Sequence, residues 1–250
     1  MRKIKLINVT ILVLLFSIGT IAQVNTEKKR LGLQESGFSG TIKLTYALTL
    51  GNSELVEFGL APGIIWRTGR HQLFILNDIS SVTSDETTII SKGFSHLRYN
   101  LNLTQRYIYE LFTQAQYDES QDLEQRYLAG SGLRIICLDS DQALIAWGLA
   151  GMFEYEELSS HEITRLFRGS SYISLVARFN DRLSLTNTVY YQPDMGGFSD
   201  YRILNEGEFS ISISQSISFS SILKYRFDSE PPDGIKSYDL SLKNGFVYSF

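Results

Sequence analysis

Residues 38–50 read FSGTIKLTYALTL. The even positions, Phe38, Gly40, Ile42, Leu44, Tyr46, Leu48 and Leu50, are apolar or lack a side chain. The odd positions, Ser39, Thr41, Lys43, Thr45, Ala47 and Thr49, are small or polar. Successive side chains of an extended strand point to opposite faces, so a period of two describes a strand with one apolar and one polar face. Residues 238–250, YDLSLKNGFVYSF, repeat the pattern. Tyr238, Leu240, Leu242, Asn244, Phe246, Tyr248 and Phe250 share one face, against Asp239, Ser241, Lys243, Gly245, Val247 and Ser249.

Between these ends the alternation holds over 56–67, 107–118, 145–156, 209–214 and 217–227. It is weaker near 72–79, 91–101, 125–136, 165–177 and 183–191, giving about twelve strands. Each is about 10 residues long, the length a tilted strand needs to cross a bilayer. The apolar face ends repeatedly in Tyr, Trp or Phe, as an interfacial girdle requires, and the other face is rich in Ser, Thr, Gly, Gln and charge. A soluble sandwich would instead bury bulky aliphatics and carry few aromatics at its strand ends. The expected fold is all-β: a transmembrane antiparallel up-and-down barrel of about twelve strands over residues 37–250. Pro62, inside a strand, predicts a bulge or an unpaired position.

Connections alternate in length. Those at 68–71, 102–106, 139–142, 179–182 and 215–216 are short. Those at 78–90, 118–124, 156–164, 192–201 and 228–237 are longer, and the first, near Gly51-Asn52, is short. In outer-membrane barrels the long loops face outside, which puts both termini in the periplasm when the strand count is even.

The N-terminus fits that destination. Arg2, Lys3 and Lys5 precede an apolar stretch at 6–22 that ends in Thr20 and Ala22 at the −3 and −1 positions. This predicts a cleaved signal peptide over 1–22, followed by a short periplasmic segment over 23–36. The mature chain would keep 20 basic residues against 27 acidic ones, which argues against a nucleic-acid partner. A single cysteine, Cys137, excludes an internal disulfide framework and a thiolate-rich zinc site, and three histidines make a His-rich site a poor reading.

Three segments together resemble a known family: 95–135 (SHLRYNLNLTQRYIYELFTQAQYDESQDLEQRYLAGSGLRI), 37–54 (GFSGTIKLTYALTLGNSE) and 231–250 (PPDGIKSYDLSLKNGFVYSF). The chain resembles the salt-induced outer-membrane proteins catalogued as domain of unknown function 481. The Gly51-Asn52-Ser53 turn and the strand bearing Arg126, Gly130 and Gly132 match best. The resemblance implies an outer-membrane barrel. It implies no substrate, activity or catalytic residue.

Charges on the inward parity include Lys43, Glu57, Arg67, Arg98, Glu110, Arg126, Arg134, Glu154, Lys224, Arg226 and Lys243. Buried charges are tolerated when paired, and both signs are present, so a mutually paired lumen is expected. If the lumen is open, Arg98, Glu110, Arg126 and Arg134 form its constriction as neighbours on three consecutive strands, with Lys43 and Lys224 also lining it. The outer loops are acidic (Asp85, Glu86, Asp118, Asp122, Glu156, Glu157, Asp194, Asp200 and Asp228 among others), without the spacing of a calcium loop. They read as solvated, and no metal or cofactor is expected. Ser159 and His161, beside Glu157, are the one Ser-His arrangement a lipid hydrolase could use. His161 reads more simply as a loop residue, and Cys137 as packing at a strand end. Phe246, Tyr248 and Phe250 resemble the C-terminal signal that docks on the barrel insertion machinery by edge pairing.

The expected function is a non-enzymatic structural or envelope-stress barrel with at most a narrow pore. The alternative is a channel for a small polar solute, and a lipid hydrolase stands behind both. Expected partners are outer-membrane lipids, lipopolysaccharide and the insertion machinery.

Overall fold

A computed structural model describes residues 36–49, 55–84 and 87–250. The expected signal peptide, most of the lead segment, the Gly51-Asn52-Ser53 turn and the Asp85–Glu86 pair lie outside them. Twelve strands follow in order: β1 (Gly37–Thr49), β2 (Leu55–Thr68), β3 (His71–Ser84), β4 (Thr87–Asn102), β5 (Tyr107–Asp118), β6 (Leu123–Asp139), β7 (Ala143–Leu158), β8 (Ile163–Arg178), β9 (Leu183–Pro193), β10 (Tyr201–Ser212), β11 (Ile217–Asp228) and β12 (Tyr238–Ser249). A single 3₁₀ turn, Glu119–Gln121, is the one helical piece among the described residues.

Each strand pairs antiparallel with the one before it, and β1 closes on β12, so the sheet is a barrel with no free edge. Closure is what lets a sheet satisfy its backbone groups in lipid. At the seam, Thr41–Thr45 pair with Ser249–Gly245. Gly40 and Phe250 then exchange both backbone hydrogen bonds, at 2.8 and 3.0 Å. We call the end that carries residues 37 and 250 the terminal end, and the other the loop end.

The alternation assigns the faces as expected. Outward residues are exposed apolar groups, among them Phe38, Leu44, Leu111, Phe153, Leu242 and Phe246. Aromatic rings mark both rims. Tyr191, Tyr201 and Phe227 form a chain across β9–β11 at the loop end, with centroids 5.8 and 5.7 Å apart. Tyr248 and Phe250 stand at the terminal end. Inside, Ile65, Phe74 and Leu76 form one apolar cluster, and Tyr172, Tyr190 and Leu204 another.

Two local expectations resolve differently, and a third, at Pro62, resolves to one of its two alternatives. The long loops are shorter than 78–90, 118–124 and 156–164 suggest, because β3 runs to Ser84, β6 starts at Leu123 and β7 runs to Leu158. The 17 residues of β6 exceed the roughly 9–11 that cross a tilted bilayer, so the strands project past it. A backbone ladder is satisfied in water as in lipid, and polar side chains there record solvent, not the end of pairing. Pro62 is unpaired on its β3 side and makes no bulge, since Leu60↔Ile79 and Gly63↔Leu76 keep one register. Cys137 is not a packing residue. It is the extra residue of a bulge, where the register shifts between Ile136 and Leu138, and its thiol is exposed.

Candidate functional site

The lumen is filled by charged and polar side chains arranged at two levels. Nearer the terminal end lie Arg98 on β4, Glu110 on β5, Arg134 on β6 and Tyr172 on β8, each less than 5% exposed. Arg98 stands 3.6 Å from Glu110. The Tyr172 hydroxyl donates to Glu110 Oε2 at 2.7 Å and accepts from Arg134 at 3.3 Å. Arg98 Nε donates to His96 Nε2 at 3.3 Å, so the proton of the His96 ring sits on Nδ1, which donates to Gln114 Oε1 at 3.0 Å. Tyr172 on β8 thus reaches a carboxylate three strands away, across the lumen.

Nearer the loop end, four arginines and four carboxylates interlock. Glu154 accepts from Arg168 at 2.9 Å and from Arg202 at 3.0 and 2.9 Å. Arg202 also donates to Glu156 at 3.2 Å and to Asp228 at 2.7 Å. Arg168 grips Asp200 with both terminal nitrogens, at 2.9 and 2.8 Å. Arg126 pairs with Glu156, and Arg226 donates to Asp228 at 3.0 Å. Forked guanidinium–carboxylate bonds of this kind are the strong, directional ones. Above them Gln121 donates to Asp239 at 3.1 Å, bridging the 3₁₀ turn to β12.

The remaining wall, β1, β2 and β10–β12, carries lysines. Lys224 stands 3.1 Å from Glu206, and Lys243 stands 3.4 Å from Glu57. Lys43, Lys224, Lys243 and Asp78 surround a cavity of about 20 Å³, room for about one water. A larger groove of about 580 Å³ is lined by Tyr127, Ala129, Phe153 and Phe167; these side chains lie on the lipid side of the wall.

Of the residues expected at a constriction, Arg98, Glu110 and Arg134 do come together. Arg126 does not join them. On β6 it lies eight residues from Arg134, opposite Gln116 of β5 where Glu110 faces Gly132, and so belongs to the upper level. Neighbouring strands are not enough, because side chains must also share a height. Lys43 and Lys224 lie on the lysine wall, apart from Arg98, Glu110 and Arg134. Several loop acids were expected to be solvated, but Asp118, Glu156 and Asp228 are buried inward residues of strands that continue past the bilayer. Arg168 and Arg202 are new to the site. Arg168 shares its parity with Tyr172 on β8, a strand whose alternation is weak.

Ser159 and His161 share the β7–β8 turn, but no hydrogen bond joins them. His161 Nδ1 instead faces Glu124 and Glu157.

Comparison with known proteins agrees with the barrel. The sequence profile of a family described as "Protein of unknown function, DUF481" matches residues 42–250. No curated protein matches the sequence. Among solved structures, the COG4313 outer membrane channel from Pseudomonas putida F1 is similar at a TM-score of 0.54 and 10% identity. The match covers 88% of this chain and 97% of that one. The NanC porin is similar at a TM-score of 0.52 and 9% identity, covering 84% and 98%. Identities this low speak for the fold alone: that of bacterial outer membrane barrels.

Proposed function

The chain belongs to the family described as "Protein of unknown function, DUF481", and on that premise we propose a non-enzymatic structural barrel of the outer membrane whose lumen passes at most water and small ions. One observation supports this above the rest. Arg202–Glu154 and Tyr172–Glu110 each join strands three apart, at two heights, and so lie across the path a solute would take. A wide aqueous pore lines its wall with side chains and leaves the interior to water; here buried guanidinium and carboxylate groups bridge strands that are not neighbours.

In this reading the terminal end faces the periplasm, residues 1–22 are removed as a signal peptide, and residues 23–36 lie in the periplasm. Lipopolysaccharide and outer-membrane lipids cover the wall. The insertion machinery reads Phe246, Tyr248 and Phe250, whose side chains are exposed on the outer face.

The test is single-channel recording of the refolded full chain in a planar lipid bilayer. We expect no porin-sized steps. Discrete, reproducible steps of that size from folded protein would overturn the proposal. A second reading, a narrow path for small anions, is favoured by the Lys43, Lys224 and Lys243 wall. It predicts small steps with anion preference that Lys43→Glu reverses.

A further inference from the structure

Three side chains that the lumen does not use meet at the loop end of β6–β8, on the outer side of the wall. Leu123 pairs with Leu158 and Gln125 with Glu157, which leaves Glu124 as the extra residue of a β-bulge. A bulge re-aims its side chain. Strict alternation would send Glu124 into the lumen with Arg126; instead its side chain is 52% exposed and lies toward His161. His161 has a left-handed backbone, φ 65°, uncommon outside glycine. Its Nδ1 lies 3.7 Å from Glu124 Oε2 and 3.8 Å from Glu157 Oε1.

Glu157 is held from behind. Gln125 donates to its Oε2 at 2.5 Å and the Tyr155 hydroxyl donates to the same oxygen at 3.0 Å. The Tyr127 hydroxyl in turn donates to Gln125 Oε1 at 3.0 Å. Two donors thus fix one carboxylate oxygen and leave the other facing His161. Outer partners of this kind orient the carboxylate ligands of metals.

The geometry points to a divalent transition-metal site made by Glu124, Glu157 and His161, with Zn²⁺ as the ion it suits. The three ligand atoms lie within 4.8 Å of one another. Zinc bonds of about 2.0–2.2 Å would hold them about 3.4 Å apart in a tetrahedron, a closure that small rotamer changes supply. One imidazole with two carboxylates leaves a fourth position for water and disfavours Ca²⁺ and Mg²⁺, which take oxygen ligands in larger number. A bound ion would tie β6, β7 and the turn into β8 together. This site is independent of whether the lumen conducts.

The test is titration of Zn²⁺ into the purified, refolded full chain carrying Cys137→Ser, in competition with a chelating dye. We expect one Zn²⁺ per chain, unaffected by excess Ca²⁺. Glu157→Gln and His161→Asn, the latter because asparagine tolerates a positive φ, should each weaken binding at least tenfold. Gln125→Leu should weaken it by about tenfold, and Ser159→Ala should leave it unchanged. Failure of the wild type to bind Zn²⁺, or binding of equal strength after Glu157→Gln and His161→Asn, would overturn the site. Should a variant fail to fold, the wild-type absorption spectrum with Co²⁺ decides: visible bands of a four- or five-coordinate ion support the site, and a spectrum of hexaaqua Co²⁺ rejects it.

Discussion

One terminal nitrogen of Arg202 on β10 donates to both carboxylate oxygens of Glu154 on β7, at 3.0 and 2.9 Å. Neighbouring strands are already tied by the backbone ladder, so this contact adds what the ladder lacks: a strut across the interior. The same strands form both wall and filling. Burying such charges carries a large desolvation cost, which only complete pairing offsets. The network therefore stands or falls together. Its worth shows when one partner is removed rather than when all are exchanged.

Glu154→Ala should be the most damaging single change in the lumen. It leaves Arg126, Arg168 and Arg202 facing one another without their shared carboxylate. Removing one partner of a buried pair costs about 3–5 kcal/mol. Urea unfolding of the refolded variant in detergent should show a loss of that order. Changing Glu154→Leu together with Arg168→Met and Arg202→Met should recover part of it. A single variant within about 0.5 kcal/mol of wild type would contradict the buried network, since only surface changes are that mild.

Gly148 lies beside Tyr172 across the β7–β8 ladder, and a Cβ there would run into the tyrosine ring. Glycine is needed at this position for the close approach. Gly148→Val should push the ring aside, break its bond to Glu110, and destabilise the barrel by about 1–3 kcal/mol. Thermal melts compared with Gly197→Ala, in the β9–β10 loop where a Cβ meets only an ordinary contact, check whether the effect is local crowding or general glycine loss.

Phe250 packs its ring against Gly40 across the seam, where a Cβ on the glycine would collide with it. Phe250→Ala should lower the amount of barrel assembled in the outer membrane of cells. It should leave the melting temperature of protein refolded in detergent nearly unchanged, because the backbone bonds between Gly40 and Phe250 remain. A parallel fall in both would make the residue structural rather than a docking signal.

Cys137 sits on the bulge near the terminal end of β6 with its thiol exposed. If that end faces the periplasm, a membrane-impermeant maleimide should leave intact cells unlabelled and label the protein once the outer membrane is permeabilised. Labelling of intact cells would invert the orientation.

How far these features could be read from sequence differs by feature. The twelve strands, their outward faces and the rims of aromatic residues were legible at 38–50, 107–118 and 238–250, because a period of two is a local property and lipid demands an apolar face on every strand. Arg98 and Glu110 were legible as neighbours because consecutive strands pair. The metal-ligand geometry at Glu124 was not, since a bulge moves one residue to the other face and leaves no mark in composition. The same holds for the exposure of Cys137.

By itself, then, the sequence determined a closed antiparallel barrel with a charged interior: alternation sets faces, chain order sets neighbours, and lipid excludes a free edge. Only the tertiary structure decided which charges meet. Arg202 finds Glu154, and Tyr172 finds Glu110, because the curvature and stagger of the closed sheet bring strands three apart to one height inside the lumen. No pattern of residues along one strand encodes that distance.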